Sequence, residues 1–246
     1  MKKLLFSLLI VFLSSYAFSG VVVTEKLSDG ESVTYYQNGM IASHSGGKID
    51  SLIDIKKKTI YTVDYESELI VFGSFEEMKE VQSLAAEQLK DIAEDGYYKE
   101  QSELVKKLKV KTVSKGKASY GGYPCEKILI SLTEQGISTE LCYSPQLLEE
   151  ISKEVDMKTF TDILKNETTF FMNPEELVES EVMAYAYKGY TVYEKVRLPD
   201  FNGGVNENTT EVISVKKENV SESKFKLPAE LTYISLIDLM SRYGNE

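Results

Sequence analysis

Tryptophan is absent from this 246-residue chain, histidine occurs once and cysteine twice. One histidine leaves no pair for a histidine-based metal centre, and a serine triad would have to be built on His44 itself. Ser43 and Ser45 flank it on a strand-like run, where neighbouring side chains point to opposite faces, so both project away from the His44 side. There is also no Gly-x-Ser-x-Gly elbow, no phosphate-cradling glycine loop, no Cys-x-x-Cys and no Asp-x-Asp-x-Asp-Gly calcium loop. The paired acids Glu76-Glu77, Glu149-Glu150 and Glu175-Glu176 do not supply an acid–base couple, because neighbours on a helix diverge by about 100°. The expectation is a protein that is not an enzyme, with no catalytic residue, metal ligand or cofactor, and with His44 an ordinary surface or edge residue.

Long apolar runs are equally scarce. The one near the start, Leu4 to Leu13, follows Lys2 and Lys3 and precedes a small-residue site ending at Ser19. Residues 1–19 therefore read as a cleavable secretory signal. The run is too short to span a bilayer, which takes about 20 residues. No cysteine lies near the cut to carry a lipid. Leu231 to Met240 is also too short to span, and it carries Asp238. The mature chain should have no transmembrane segment and be periplasmic or secreted. Its formal net charge of −11 becomes more negative once the two leader lysines are lost. Such a surface repels phosphate backbones, so no nucleic-acid partner is expected.

In an oxidising compartment, Cys125 and Cys142 are most simply a disulfide. Cys125 to Leu132 and Ile137 to Cys142 read as strands around the turn Glu134-Gln135-Gly136. Folding that hairpin brings the two cysteines within a residue or two of register. Closing such a loop stabilises by about 3 kcal/mol in the chain-entropy model.

The rest of the chain reads as short strands, then helices, then strands again. Val21–Leu27, Ser32–Gln37, Met40–Ser45, Lys48–Ile55, Thr59–Asp64 and Glu68–Phe72 make a meander, with Asn38-Gly39 as a strong hairpin signal. Ser74-Phe75-Glu76-Glu77 has the spacing of a capping box, and an apolar stripe follows it as far as Gly96. A second amphipathic piece spans Tyr97 to Leu108. Strands resume at Val110–Val113 and Ala118–Tyr120. Ser144-Pro145 and Asn173-Pro174 open further helices, giving a helical block at about 145–187. Tyr190–Leu198 and Glu211–Lys216 close the sheet, joined by a polar, glycine-rich loop at 200–208 that reads as mobile. Eight of the sixteen tyrosines, among them Tyr36, Tyr120, Tyr190 and Tyr193, fall in or beside expected strands, where an apolar body with a polar tip suits a half-exposed sheet.

Three segments, taken in order, resemble a bacterial family of secreted domains of unknown function, related in fold to the LolA and LolB lipoprotein carriers. They are Leu52-Ile53-Asp54 with Lys57 to Asp64, then Gly121-Gly122-Tyr123-Pro124-Cys125-Glu126-Lys127-Ile128, then Glu211 to Val215 with Lys217 and Phe225-Lys226-Leu227-Pro228. The resemblance implies an α+β fold: a strongly curved antiparallel half-barrel sheet whose concave face is covered by helices. It implies one such domain over 20–230, with 231–246 as a C-terminal extension. It also implies a carrier that holds a lipid, acyl chain or other apolar ligand in the groove. Ile53, Ile60, Val63, Val71 and Phe72 from the sheet, with Met78, Val81 and Leu84 from the helix, are then its candidate walls. The alternative is an envelope protein–protein interaction or sensor module with a packed core and no ligand.

Overall fold

The computed structural model describes residues 20–94, 96–164, 173–200 and 204–243. The expected signal at 1–19 lies outside the described residues. Among these residues twelve strands form one sheet, in the order β12-β6-β5-β4-β3-β2-β1-β11-β10-β9-β8-β7. The strands are β1 Gly20–Leu27, β2 Gly30–Gln37, β3 Met40–Ser45, β4 Lys48–Asp54, β5 Thr59–Asp64, β6 Leu69–Ser74, β7 Lys111–Tyr120, β8 Tyr123–Leu132, β9 Ile137–Ser144, β10 Tyr190–Pro199, β11 Val205–Glu218 and β12 Thr232–Ser235. Every pairing is antiparallel except β12 with β6. The helices are α1 Phe75–Glu94, α2 Gly96–Lys106, α3 Pro145–Ser152, α4 Met157–Leu164, α5 Pro174–Ala186 and α6 Leu236–Tyr243.

Local chemistry sets the turns and helix starts. Asn38 and Gly39 both take positive φ (54° and 83°) between β2 and β3, as a tight hairpin turn requires. The capping box forms: Glu77 N–H donates to Ser74 Oγ at 3.0 Å, and the Glu77 carboxylate accepts from Ser74 N–H. Ser144 caps α3 by accepting from Leu147 N–H at 3.3 Å. Asn173 does the same for α5, accepting from Glu176 N–H at 3.0 Å.

The sheet is bent hard at its β7–β10 end. The rings of Tyr120 on β7 and Tyr193 on β10 stack with centroids 4.7 Å apart, although β8 and β9 lie between them. On a flat sheet three strand spacings would separate them by about 14 Å. At the β7–β8 turn, a β-carbon on Gly121 would come within 2.6 Å of the Val212 side chain on β11, so this close approach excludes any larger residue. Tyr120 and Tyr193 mark the concave face.

Three cores follow from this geometry. On the concave face, α3, α4 and the turn between them press Leu147, Ile151, Val155, Met157 and Ile163 onto Val21, Val23, Ile41, Ile53, Cys142 and Val212. On the convex face of the β1–β6 limb, the chain after β11 returns as a strap. Its Val220 and Phe225 pack over Val22, Ala42, Ile49, Leu52, Val63 and Ile70. On the convex face of the other limb, α5 sets Val178 against Ile128, Ile130, Leu141 and Tyr143.

Several sequence expectations change here. The helical block does not cover the concave face as a whole: α3 and α4 do, but α5 lies on the opposite side. The reason is parity, since Ile128 and Leu141 pair with each other and alternate with the Cys125 and Cys142 positions. Residues 205–208 belong to β11 and pair with β10 from Pro199↔Val205 onward, so they are strand rather than loop; residues 201–203 of the expected loop lie outside the described residues. The two strand pieces before the cysteines are one strand, β7, broken in register at Ser114/Gly116. Part of the C-terminal extension joins the same sheet, with Thr232 N–H donating to the Glu68 carbonyl at 3.0 Å at the start of β12.

Candidate functional site

The face to test as a site is the concave one, because a curved sheet closed by helices is where a groove would form. The described side chains there are in direct contact. Leu147 and Ile151 on α3 are 0% exposed, as is Cys142 beneath them. Cys125 and Cys142 are joined, with Cα atoms 5.5 Å apart. Cys142 pairs with Lys127, two residues from Cys125. The bridge is therefore a diagonal between adjacent strands on the concave face.

Polar groups tie the roof to the sheet. Tyr123 O–H at the start of β8 donates to the Glu150 carboxylate on α3, and Lys217 on β11 pairs with the same carboxylate at 3.0 Å. Burial pushes Glu150 up, but those two partners outweigh it and hold the carboxyl below its ordinary range. Burial, with the negative Glu150 beside it, pushes the Tyr123 phenol up to about 12. The β2–β3 turn also reaches the roof, where Gly39 N–H donates to the Glu154 carbonyl at 2.8 Å.

A second chain of polar groups lies further along this face. Tyr36 O–H donates to Tyr190 O–H at 3.2 Å, and Tyr190 O–H donates to the Glu25 carboxylate at 3.1 Å. Burial raises all three, and for Glu25 it outweighs the stabilising bond from Tyr190. Beside it, Lys127 pairs with Glu140 at 2.9 Å and sits 5.0 Å from the Tyr193 ring centroid. The sequence gives no sign of this network, since its members come from β1, β2 and β10.

The eight candidate wall residues do not form one wall. Ile53 pairs with Ile60, and both contribute to the concave core. Val71 pairs with Thr62 and so faces the same way as Ile60. Val63 lies in the convex core, and Phe72 pairs with Tyr61 on that side, their rings stacked at 6.3 Å. Met78 and Val81 on α1 are half-buried, while Leu84 is 47% exposed.

His44 is buried rather than on the surface. Its Nε2 lies 2.9 Å from the Lys224 carbonyl. A carbonyl only accepts, so Nε2 carries the proton, and Nδ1 is buried without a hydrogen-bond partner among the described residues. Gln37 clamps the strap beside it, its amide donating to Val220 O at 3.2 Å and accepting from Val220 N–H at 2.8 Å. Hollows of about 410 and 370 Å³ flank this strap, sharing Val33, Tyr35 and Lys224. A third, of about 540 Å³, opens where β7 begins. Among the described residues there is no cluster of three or more His, Cys, Asp or Glu placed to hold a metal. No described helix is long and apolar enough to cross a membrane.

The fold and this site define an α+β domain: one open, curved, mostly antiparallel sheet, disulfide-linked, with helices on both faces. The chain belongs to the family described as a domain of unknown function, DUF4412, whose model matches residues 40–231. No curated protein matches the sequence. Among solved structures, an uncharacterized conserved protein from Thermus thermophilus is similar at 10% identity and a TM-score of 0.38, covering 88% of this chain and 90% of that one. The MucA/MucB complex of Pseudomonas aeruginosa is similar at 10% identity and a TM-score of 0.36. That match covers 89% of this chain but 58% of the other. Likeness at that level transfers nothing of what those proteins do.

Proposed function

We propose that this is a non-enzymatic, extracytoplasmic binding module that works through its outer surface, as an envelope protein–protein interaction or sensor domain. The observation that carries the reading is the filled concave face, where Leu147, Ile151, Val155, Met157 and Ile163 occupy the space a ligand would need. The disulfide fits export to an oxidising compartment, periplasmic or secreted. Apolar side chains remain outside on the convex cover, with Met183 and Tyr187 at 38% and 43% exposure, and Leu104 on α2 at 58%.

A second reading, the LolA-like carrier of an acyl chain, is supported by the concave orientation of Ile60 and Val71 beside α1, where Met78 and Val81 are only half-buried. Native mass spectrometry of protein purified gently from its own cells separates the two. The surface-binding reading expects the bare chain mass and no uptake of added fatty acid or phospholipid. A lipid-laden mass overturns it in favour of the carrier.

A further inference from the structure

The longest open edge of the sheet carries a charge of the wrong sign for this molecule. Lys106, Lys107, Lys109, Lys111, Lys115 and Lys117 fall within twelve residues that contain no acid, in a chain of formal net charge −11. Lys106 pairs with Glu103 at 3.5 Å. The other five are exposed and form no ion pair with any described residue.

These lysines lead into and along β7, the terminal strand of the sheet, whose ten residues pair with β8 on one side only. Among the described residues, its other side has no strand partner, which leaves a row of backbone N–H and C=O groups unpaired by a strand. The register shift between Ser114 and Gly116 makes the cations straddle this edge. Lys111 has the parity of Val113, while Lys117, opposite Glu126, falls on the other face, with Lys115 at the irregularity itself. At the start of the strand, the hollow of about 540 Å³ is lined by Leu108, Val110 and Leu132, with Lys107, Lys109 and Lys111 around them and a single acid, Glu134, on the β8–β9 side.

The geometry points to β7 as a docking edge for an acidic, extended polypeptide segment of a partner protein, which adds to the sheet as a further strand. This rests on the surface-binding reading above and names its surface. An added strand alternates its side chains above and below the sheet, so acidic residues on both sides meet lysines on both sides. A lipid surface is flat and engages cations on one face only. A second copy of this chain is not the occupant through the same edge, because two lysine-bearing edges repel. The hollow takes one bulky apolar side chain from the incoming strand, fixing its register, while the charges govern encounter and selectivity.

The test uses the whole exported protein and a labelled synthetic peptide that alternates glutamate with valine and carries one leucine. The expected result is saturable binding that weakens with added salt, with new hydrogen-exchange protection on β7 amides. The combined variant Lys111→Glu, Lys115→Glu and Lys117→Glu should bind about tenfold more weakly or worse. These side chains are exposed, but Lys117→Glu sets a carboxylate opposite Glu126, so its thermal melt should stay within a few degrees of the parent's rather than match it. The same peptide with lysine in place of glutamate should not bind. Failure of the acidic peptide to bind, undiminished binding to the charge-reversed variant, or protection confined to another strand each overturns the proposal. Binding to phosphatidylglycerol vesicles in place of the peptide overturns it in favour of a membrane. A silent peptide with a bare native mass removes the β7 edge alone, whereas a lipid-laden mass removes the surface-binding reading beneath it.

Discussion

The two faces of the sheet are closed by different means. The concave face is covered by α3 and α4, which follow β9 directly and are locked down by Leu147, Ile151 and the Glu150 latch. The convex face is covered in two separate pieces, α5 over one limb and the return strap over the other. A roof contiguous with the sheet and fully buried behaves as core. A strap held by Gln37, His44 and a few apolar side chains is expected to open at a lower free energy than the roof. On the reading proposed above, binding takes place outside the concave face.

The contrast breaks first, and most severely, at the roof. Leu147→Ala removes a fully buried side chain and should cost about 3–5 kcal/mol in global stability by denaturant unfolding. Replacing both Cys125 and Cys142 by serine should cost about 3 kcal/mol by the same measurement. On the strap, Phe225→Ala should cost less in the global transition than the roughly 3–5 kcal/mol usual for a buried phenylalanine, while strap amides such as Val220 lose hydrogen-exchange protection.

The two concave-face carboxyls sharpen the comparison through pH. Glu150 is held below its ordinary range, so its contribution is present above that range and is lost as pH falls through its lowered value. Glu150→Gln should therefore cost about 1–2 kcal/mol at neutral pH and little once the carboxyl is protonated. Glu25 is raised by burial, so its contribution is present at acid pH and lost as pH rises through its raised value. Glu25→Gln, which still accepts the Tyr190 bond, should stabilise slightly at neutral pH and change little in acid. Thermal melts of both variants across pH give opposite slopes if the assignments hold.

Features written in adjacent residues were legible in the sequence. Asn38-Gly39, the Ser74 to Glu77 box, the Ser144 and Asn173 caps and the cysteine hairpin all depend on contacts a few residues apart. What escaped depends on distant pairing. The strap contacts link Gln37 to Val220 and His44 to Lys224, so a buried His44 looked like a surface one. Ile53 and Val63 both look like wall residues, yet the Ile53↔Ile60 pairing puts Val63, three residues on, on the opposite face. Parity cannot be carried across turns and bulges whose register the sequence does not state. The same uncertainty hid the convex placement of α5, whose apolar positions fit either side.

Native-state hydrogen exchange on the roof tests the central claim most directly. The Val155 amide, bonded to the Ile151 carbonyl at 3.0 Å, should exchange only through global unfolding, at a rate unchanged by added lysophospholipid micelles. Exchange through a small local opening, or a rate that shifts when lipid is added, would show a roof that opens to cargo and would contradict the account.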